Sequence, residues 1–374
     1  MRGSNNRSLG IINTDGHIWS AQRRFALKEL RDLGFGRKSL DSVMIQEVDE
    51  VIDKLISIQD VEMTGTFNTA IINVLWQIVA SKRFEHDAPD TKQMMDLLNL
   101  QFSSGIQLAQ LMPKVAKFLP ASEKDKSFVV MKNMMRGLIN DHLKDIDYDQ
   151  PRDFIDTYLK EMQNNPDFDI DHLVVICLDF FQAGAETTST TLLWTVLFMA
   201  INPTVQEECQ KEIDENLGSK TPAIEDMSKL PYVMATLLEI QRISRVAPSS
   251  LPHYLLKDYV VNGYNFKAGT MFLSNLENFL MDPQAFPEPD SFKPERFLEN
   301  GKIKKNERLA PFGIGKRICM GESLAKNELF IFAVRVLQRL RFEELPGNSP
   351  DPNSFISGIT RIPQPFLVKA TSRA

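Results

Sequence analysis

A mainly α-helical protein with a minor β component is what this sequence predicts, on three observations. Apolar residues recur at helical spacing through the first three quarters of the chain. One stretch, residues 168–200, suffices for a helix of roughly 45 Å, the width of a whole domain. The last quarter changes to short runs punctuated by Asn262-Gly263 and Ala268-Gly269, as turns between strands do.

The elements follow in order. Residues 15–32 carry Trp19, Phe25, Ala26 and Leu30 at helical spacing, and GFG at 34–36 stops the helix. Residues 40–60, 65–83 and 91–101 repeat the pattern. Pro113 and Pro120 make 112–120 a helix end and a loop, and 122–145 is helical again. Pro151 predicts the start of the helix PRDFIDTYLKEM, with proline in its first turn. Asp169 or Asp171 can cap the long helix, and Asn202-Pro203 ends it. Both ends of that helix are apolar on most sides, so it should run through the core. Its middle is different: Gln182, Gly184, Glu186, Thr187, Thr188, Ser189, Thr190 and Thr191. Strands are expected at 253–256, 259–261 and 270–273, an irregular Pro-rich stretch at 282–300, a helix at 321–341 and a hairpin at 358–370. No repeat, low-complexity tract or linker divides the chain, so residues 1–374 read as a single domain.

Composition narrows the function classes. Hydrophobic residues make up 43% and charged residues 25% of 374, which excludes wholesale disorder, collagen and a disulfide scaffold. The 43 basic residues against 49 acidic ones give −6, so nothing global points to nucleic acid. Cys177, Cys209 and Cys319 build no disulfide framework, and a reducing compartment is expected. Abundant Phe and Met suggest a soft apolar interior. MRGSNNRSLG at the start has no apolar segment, and the longest apolar run, 192–201, is about half of the ~20 residues that span a bilayer. The chain as given reads as neither secretory precursor nor membrane-spanning.

The strongest chemical signal is FGIGKRICMG at 312–321. Gly313, Gly315 and Gly321 let the backbone lie close against a flat object. Cys319 just precedes a helix beginning near Glu322, whose positive end should favour the thiolate, a soft metal ligand. The bland alternative is a structural cysteine in a Gly-rich turn. With Phe312, Gly315, Arg317, Cys319 and Gly321 in place, the segment resembles the cysteine loop F-x-x-G-x-R-x-C-x-G of the cytochrome P450 family of haem-thiolate monooxygenases. The resemblance makes Cys319 the axial ligand of haem iron and implies haem b, iron protoporphyrin IX, as cofactor. Thiolate ligation pushes electron density onto iron and favours O–O cleavage.

Other segments agree in order and spacing. Ala183-Gly184-Ala185-Glu186-Thr187-Thr188 looks like the family's oxygen-binding helix. A threonine there can bond back one turn and bend the helix. Glu186 and Thr187 are similar to its acid–alcohol pair for proton delivery, although packing or capping also explains such a run. Glu239 and Arg242, three apart, share a helix face. In the family that pair locks with an arginine like Arg296 of PERF, a structural trio behind the cysteine loop. Trp19 and Arg23, one turn apart, can both donate to a carboxylate. The resemblance makes it a haem propionate and adds His253 and Arg317 as donors. By the same resemblance Phe181, Ala183, Val246, Leu251 and Ile356 face an apolar substrate.

The stretch PRDFIDTYL at 151–159 is similar to the microsomal branch of drug- and steroid-oxidising animal enzymes. That branch carries more chain before Trp19: an anchor, a proline hinge, the first strands and a roofing loop. The fold expected here is therefore an N-terminally truncated P450 fold, with unpaired sheet edges and part of the haem pocket open. The implied location is the cytosolic face of the endoplasmic reticulum membrane, with membrane association for a full-length protein. The implied partners are O2, an apolar small molecule and an NADPH-dependent flavoprotein reductase or a cytochrome b-type donor. Arg23, Arg24, Lys28, Arg31, Arg37 and Lys38 against Glu29 and Asp32 give a local +4, either a solvated face or a docking patch for that donor. No G-x-G-x-x-G follows a strand, so the chain shows no NADPH site of its own. A non-catalytic haem-binding fragment or scaffold and an O2-independent haem-thiolate isomerase or lyase are the rival readings. A zinc or redox site fails for want of a second cysteine near Cys319.

Overall fold

The central element is the expected long helix, α7 (Ile170–Ile201), buried along nearly its whole length. The computed structural model describes residues 7–36, 38–58, 60–102 and 122–373. Before α7 come α1 (Gly16–Asp32), α2 (Asp41–Ile58), α3 (Asn68–Ala80), α4 (Pro89–Phe102), α5 (Glu123–Asp145) and α6 (Phe154–Met162). After it come α8 (Pro203–Asn216), α9 (Pro231–Ser244), the short α10 (Leu276–Leu280) and α11 (Glu322–Arg339). The loop expected at 112–120 lies outside the described residues.

Helix starts follow local chemistry. Ser122 and Asp125 form a reciprocal capping box on α5. Asp169 caps α7 by accepting from the His172 amide at 2.9 Å, which settles the choice between Asp169 and Asp171. The start of α6 differs from expectation. α6 begins at Phe154 rather than Pro151, because the Asp153 side chain accepts the Asp156 amide at 3.0 Å and caps the helix there.

α7 packs against α3, α5, α9 and α11. Trp76 and Trp194 are fully buried, and removing such large apolar surface from water stabilises the packing around α7. The Trp194 Nε1–H donates to the Arg361 carbonyl at 3.0 Å, so the indole is satisfied as well as buried.

The β structure is small and scattered. β1 (Asp60–Glu62), β11 (Leu367–Ser372) and β8 (Leu340–Glu344) form an antiparallel sheet with β11 in the middle. β9 (Phe355–Ser357) and β10 (Arg361–Pro363) pair as a hairpin. The hairpin expected at 358–370 is therefore corrected: residues 358–360 are a turn, and the chain beyond β10 joins the three-stranded sheet. β3 (Tyr259–Val261) and β4 (Tyr264–Phe266) close on Asn262 and Gly263, both at positive φ, as a two-residue hairpin turn requires. β2 (His253–Tyr254) pairs only with β5 (Met271–Phe272) among the described residues, and β6 (Leu298–Glu299) with β7 (Lys302–Ile303). Tyr259, Val260, Tyr264, Met271 and Phe272 are exposed, so these hairpins present apolar side chains to solvent. Among the described residues no helix is long and apolar enough to cross a membrane.

Candidate active site

The cysteine loop turns on Gly313 and Gly315, both at φ +76°, where a side chain would be strained. The Cys319 amide donates to the Phe312 carbonyl at 3.0 Å, closing the loop. Lys326 Nζ lies 5.6 Å over the Phe312 ring. Gly321 stands at the start of α11, where a Cβ would lie 3.8 Å from the Cys319 sulfur. Cys319 is free and exposed, whereas Cys177 and Cys209 are buried. The Gly321 and Glu322 amides beside the sulfur favour the thiolate, as expected, and Arg23 adds to them. Their sum is a correction to the sequence reading: the protein packed about the sulfur outweighs them and pushes the thiol up. A metal reverses that balance, because a coordinated thiol is deprotonated outright.

Beside the loop, α1 places Trp19 and Arg23 one turn apart. Trp19 Nε1 is buried and has no hydrogen-bond partner among the described residues. Arg317 lies over the Trp19 ring at 4.1 Å and Arg23 at 5.9 Å. Arg23 donates to the Ile318 carbonyl at 2.7 Å, tying α1 to the residue before the cysteine. Burial lowers both guanidinium pKa values, and among the described residues neither forms an ion pair. An orphaned indole donor and two unpaired cations converge here, a ready site for a carboxylate. His253 does not join them: it is exposed in β2, and no hydrogen bond links it to the group among the described residues.

Sequence reasoning missed how residues 10–14 strap this group to α7. The Asp179 carboxylate accepts the amides of Ile11 and Ile12 at 2.7 and 3.1 Å. Arg317 donates to the carbonyls of Ile11 and Thr14 at 3.3 and 2.6 Å. One face of the strap therefore holds the central helix and the other holds the cysteine loop. The available signal was Asp179 itself, a lone acid in the apolar run VVICLDFF. Also missed was Glu328 of α11, fully buried and bonded to Thr188, with its other oxygen unpartnered among the described residues and its pKa pushed well up by burial.

The polar middle of α7 divides by face. Ser189, Thr191 and Thr195 bond back to the Ala185, Thr187 and Thr191 carbonyls, so much of the run is internally satisfied. Phe180, Ala183, Gly184 and Thr187, on one helical stripe, retain accessibility in a helix otherwise buried around them. Thr187 Oγ1 donates to the Ala183 carbonyl at 2.9 Å, the expected back-bond, while the helix runs on unbroken. Glu186 is buried and accepts from Thr190 at 3.3 Å; burial pushes its carboxyl up to about 7. Glu186 and Thr187 thus hydrogen-bond within α7 to different partners rather than to each other.

The structural trio is assembled. Arg242 forms a bidentate pair with Glu239 at 2.7 and 2.9 Å, and Arg296 Nε reaches Glu239 at 3.0 Å. Both arginines then hold carbonyls between Leu280 and Ser291. Among the substrate-facing candidates, Phe181 is corrected. It is fully buried with its ring edge-on to Trp76 at 5.1 Å, off the accessible stripe, because residue 181 points toward α3. Ala183 is exposed, Val246 and Ile356 are half-buried, and Leu251 is exposed. In the basic patch, Lys28 pairs with Glu29 and Lys38 with Glu225, Arg23 turns inward, and Arg24 and Arg31 stay exposed; Arg37 lies outside the described residues.

These residues fit a haem: a free, exposed thiol in a glycine-turned loop, an orphaned indole N–H with two unpaired guanidinium groups for a carboxylate, and a small-residue face on the central helix. The family model described as Cytochrome P450 matches residues 2–370. The chain is 38% identical to cytochrome P450 2J3 of Rattus norvegicus over 348 residues, 89% of this chain and 69% of that protein. It is 38% identical to cytochrome P450 2J2 of Homo sapiens over 368 residues, 95% of this chain and 73% of that one. Against cytochrome P450 2B12 of Rattus norvegicus it is 35% identical over 386 residues, 98% and 78% respectively. This chain belongs to the cytochrome P450 family. As a P450 it is a haem-thiolate monooxygenase, which works with haem iron, O2, a redox partner and an organic substrate.

Proposed function

We propose that this P450, as one domain, inserts an oxygen atom from O2 into an apolar steroid, lipid or xenobiotic, with electrons from an NADPH-fed flavoprotein reductase. The observation that carries the reading is the free Cys319 thiol beside the orphaned Trp19 donor and the unpaired Arg23 and Arg317. Haem b, when bound, supplies O2 activation. Cys319 would ligate its iron, while Trp19, Arg23 and Arg317 would hold a carboxylate at its edge.

The protein's own residues do the rest. The Thr187 hydroxyl, on the accessible stripe, donates its proton to the Ala183 carbonyl and leaves its oxygen as an acceptor. The Glu186 carboxyl holds a proton near neutral pH because burial raises it, and Thr190 anchors it. Glu239, Arg242 and Arg296 keep the 280–297 segment in register. Ala183, Val246, Leu251 and Ile356 present apolar surface to a greasy molecule. The exposed Arg24 and Arg31 on α1, which Arg23 ties to the residue before Cys319, suit an acidic electron donor. The cytosolic face of the endoplasmic reticulum is the location that suits such a donor.

The test is reconstitution with haem, an NADPH-dependent reductase and a panel of steroids and fatty acids. Substrate-dependent NADPH consumption with a product heavier by one oxygen is expected. Haem uptake with no substrate-dependent consumption across the panel contradicts the reading and favours a non-catalytic haem protein.

A further inference from the structure

A single carboxylate outside the haem-binding group joins the two segments assigned above to the substrate pocket. Glu277, in the first turn of α10, has one oxygen that accepts from two arginines. Arg245 Nη1 reaches it at 3.0 Å and Arg361 Nη2 at 2.9 Å. Arg245 is the first residue beyond α9, at φ +50°, and immediately precedes Val246. Arg361 lies in β10, and its amide donates to the Val246 carbonyl at 2.9 Å. Its guanidinium stacks 4.0 Å over Phe355, the neighbour of Ile356 in β9. The Glu277 amide in turn donates to the Pro248 carbonyl at 2.9 Å. One side chain thus anchors the 246–251 segment, the start of α10 and the β9–β10 hairpin at a common point.

The charge count makes Glu277 the critical member. Two cations share one anion, and Arg361 is 7% exposed with its Nε and Nη1 hydrogens buried and without a partner among the described residues. Asp290 adds attraction for Arg245 from further away, and Arg242 adds repulsion. Removing the carboxylate leaves two like charges in a half-buried site with no close partner, a costly arrangement that moving the segments apart relieves.

We propose that Glu277 is a positioning residue that fixes the spacing between Val246 and Ile356, and with it the size of substrate the pocket accepts. The proposal rests on the reading that these two residues line a haem pocket, and the experiment separates the two. Haem-loaded protein is titrated optically with imidazole and with 4-phenylimidazole, which bind iron through the same nitrogen and differ in the bulk the pocket must hold. In Glu277→Gln the affinity ratio of the two ligands should change about tenfold, while imidazole alone and the ferrous–CO band stay unchanged. The double variant Glu277→Gln/Arg361→Gln, which removes the repulsion, should bring the ratio back toward the starting value. A merely structural role lowers thermal stability and leaves the ratio alone, and an unchanged ratio overturns the proposal. Should Glu277→Gln fail to retain haem, Glu277→Asp decides by the same ratio, since it keeps the charge between the two arginines and draws their common anchor back by one methylene. Failure of imidazole to bind the unaltered protein overturns the pocket reading itself, and the clamp with it.

Discussion

At Gly10 the chain has room for a hydrogen and nothing larger. Its φ is +80°, and a Cβ would lie 2.5 Å from the Asp179 carboxylate and 2.6 Å from a Val175 methyl. Gly10→Ala should destabilise by about 3 kcal/mol, read by chemical denaturation, because strain and overlap add. Asp179 beneath it sets a pH dependence. Burial pushes its carboxyl up to about 7, against the two strap amides that favour the ion. The folded state therefore keeps a proton that the unfolded chain releases near pH 4, so stability falls as pH rises between about 4 and 7. Asp179→Asn should flatten that fall by up to about 4 kcal/mol, measured by unfolding at a series of pH values. Glu186, also raised to about 7, contributes in the same window, and Glu186→Gln separates the two. None of this was legible in the sequence beyond an unexplained acid in an apolar run, because the partner amides lie about 168 positions away.

At the scale of elements, helices were legible and strand pairing was not. The periodicity of α1, α2 and α7 is local, so their extents follow from neighbouring residues. β11 finds β1 across roughly the whole chain, and nothing in residues 60–62 announces that partner. The face of a helix was legible only in part: Ala183 and Thr187 lie on the accessible stripe, but Phe181 packs on Trp76, a distinction that depends on where α3 sits. α6 shows how one residue sets an element. Asp153 caps the helix with one oxygen and meets His142 of α5 with the other at 2.9 Å. With Asp156 these form a metal-like cluster, but Arg152 already occupies Asp156 and the cap occupies Asp153. Burial lowers the His142 pKa, yet the Asp153 bond and charge raise it further, so the net shift is upward. The stabilisation is complete below pH 6.5 and is lost as pH rises through the raised value. Asp153→Ala should cost about 3 kcal/mol by losing cap and partner together, while Asp153→Asn should keep the cap and lose chiefly the pH-dependent part.

For the whole molecule, the strap and the cysteine loop make one unit: Asp179 holds residues 11 and 12, Arg317 holds residues 11 and 14, and Cys319 follows two positions on. The cysteine loop and the Trp19–Arg23 spacing were legible because scarce residue types recur at fixed short spacing, whereas Arg296, 57 positions from Glu239, joined the Glu239–Arg242 pair only through the family resemblance. The thiol's net upward shift was not, because it depends on how much protein surrounds the sulfur rather than on the helix start beside it. Trp19→Phe should weaken haem retention about tenfold, read by haem transfer to an excess acceptor protein, because it removes the buried donor that has no partner among the described residues. The most direct measurement of the central claim is the absorption spectrum of the reduced, CO-saturated protein beside that of Cys319→Ser. The account predicts the red-shifted thiolate band in the unaltered protein and its loss in the variant. An unchanged band after Cys319→Ser, or no such band in a haem-loaded unaltered protein, contradicts it.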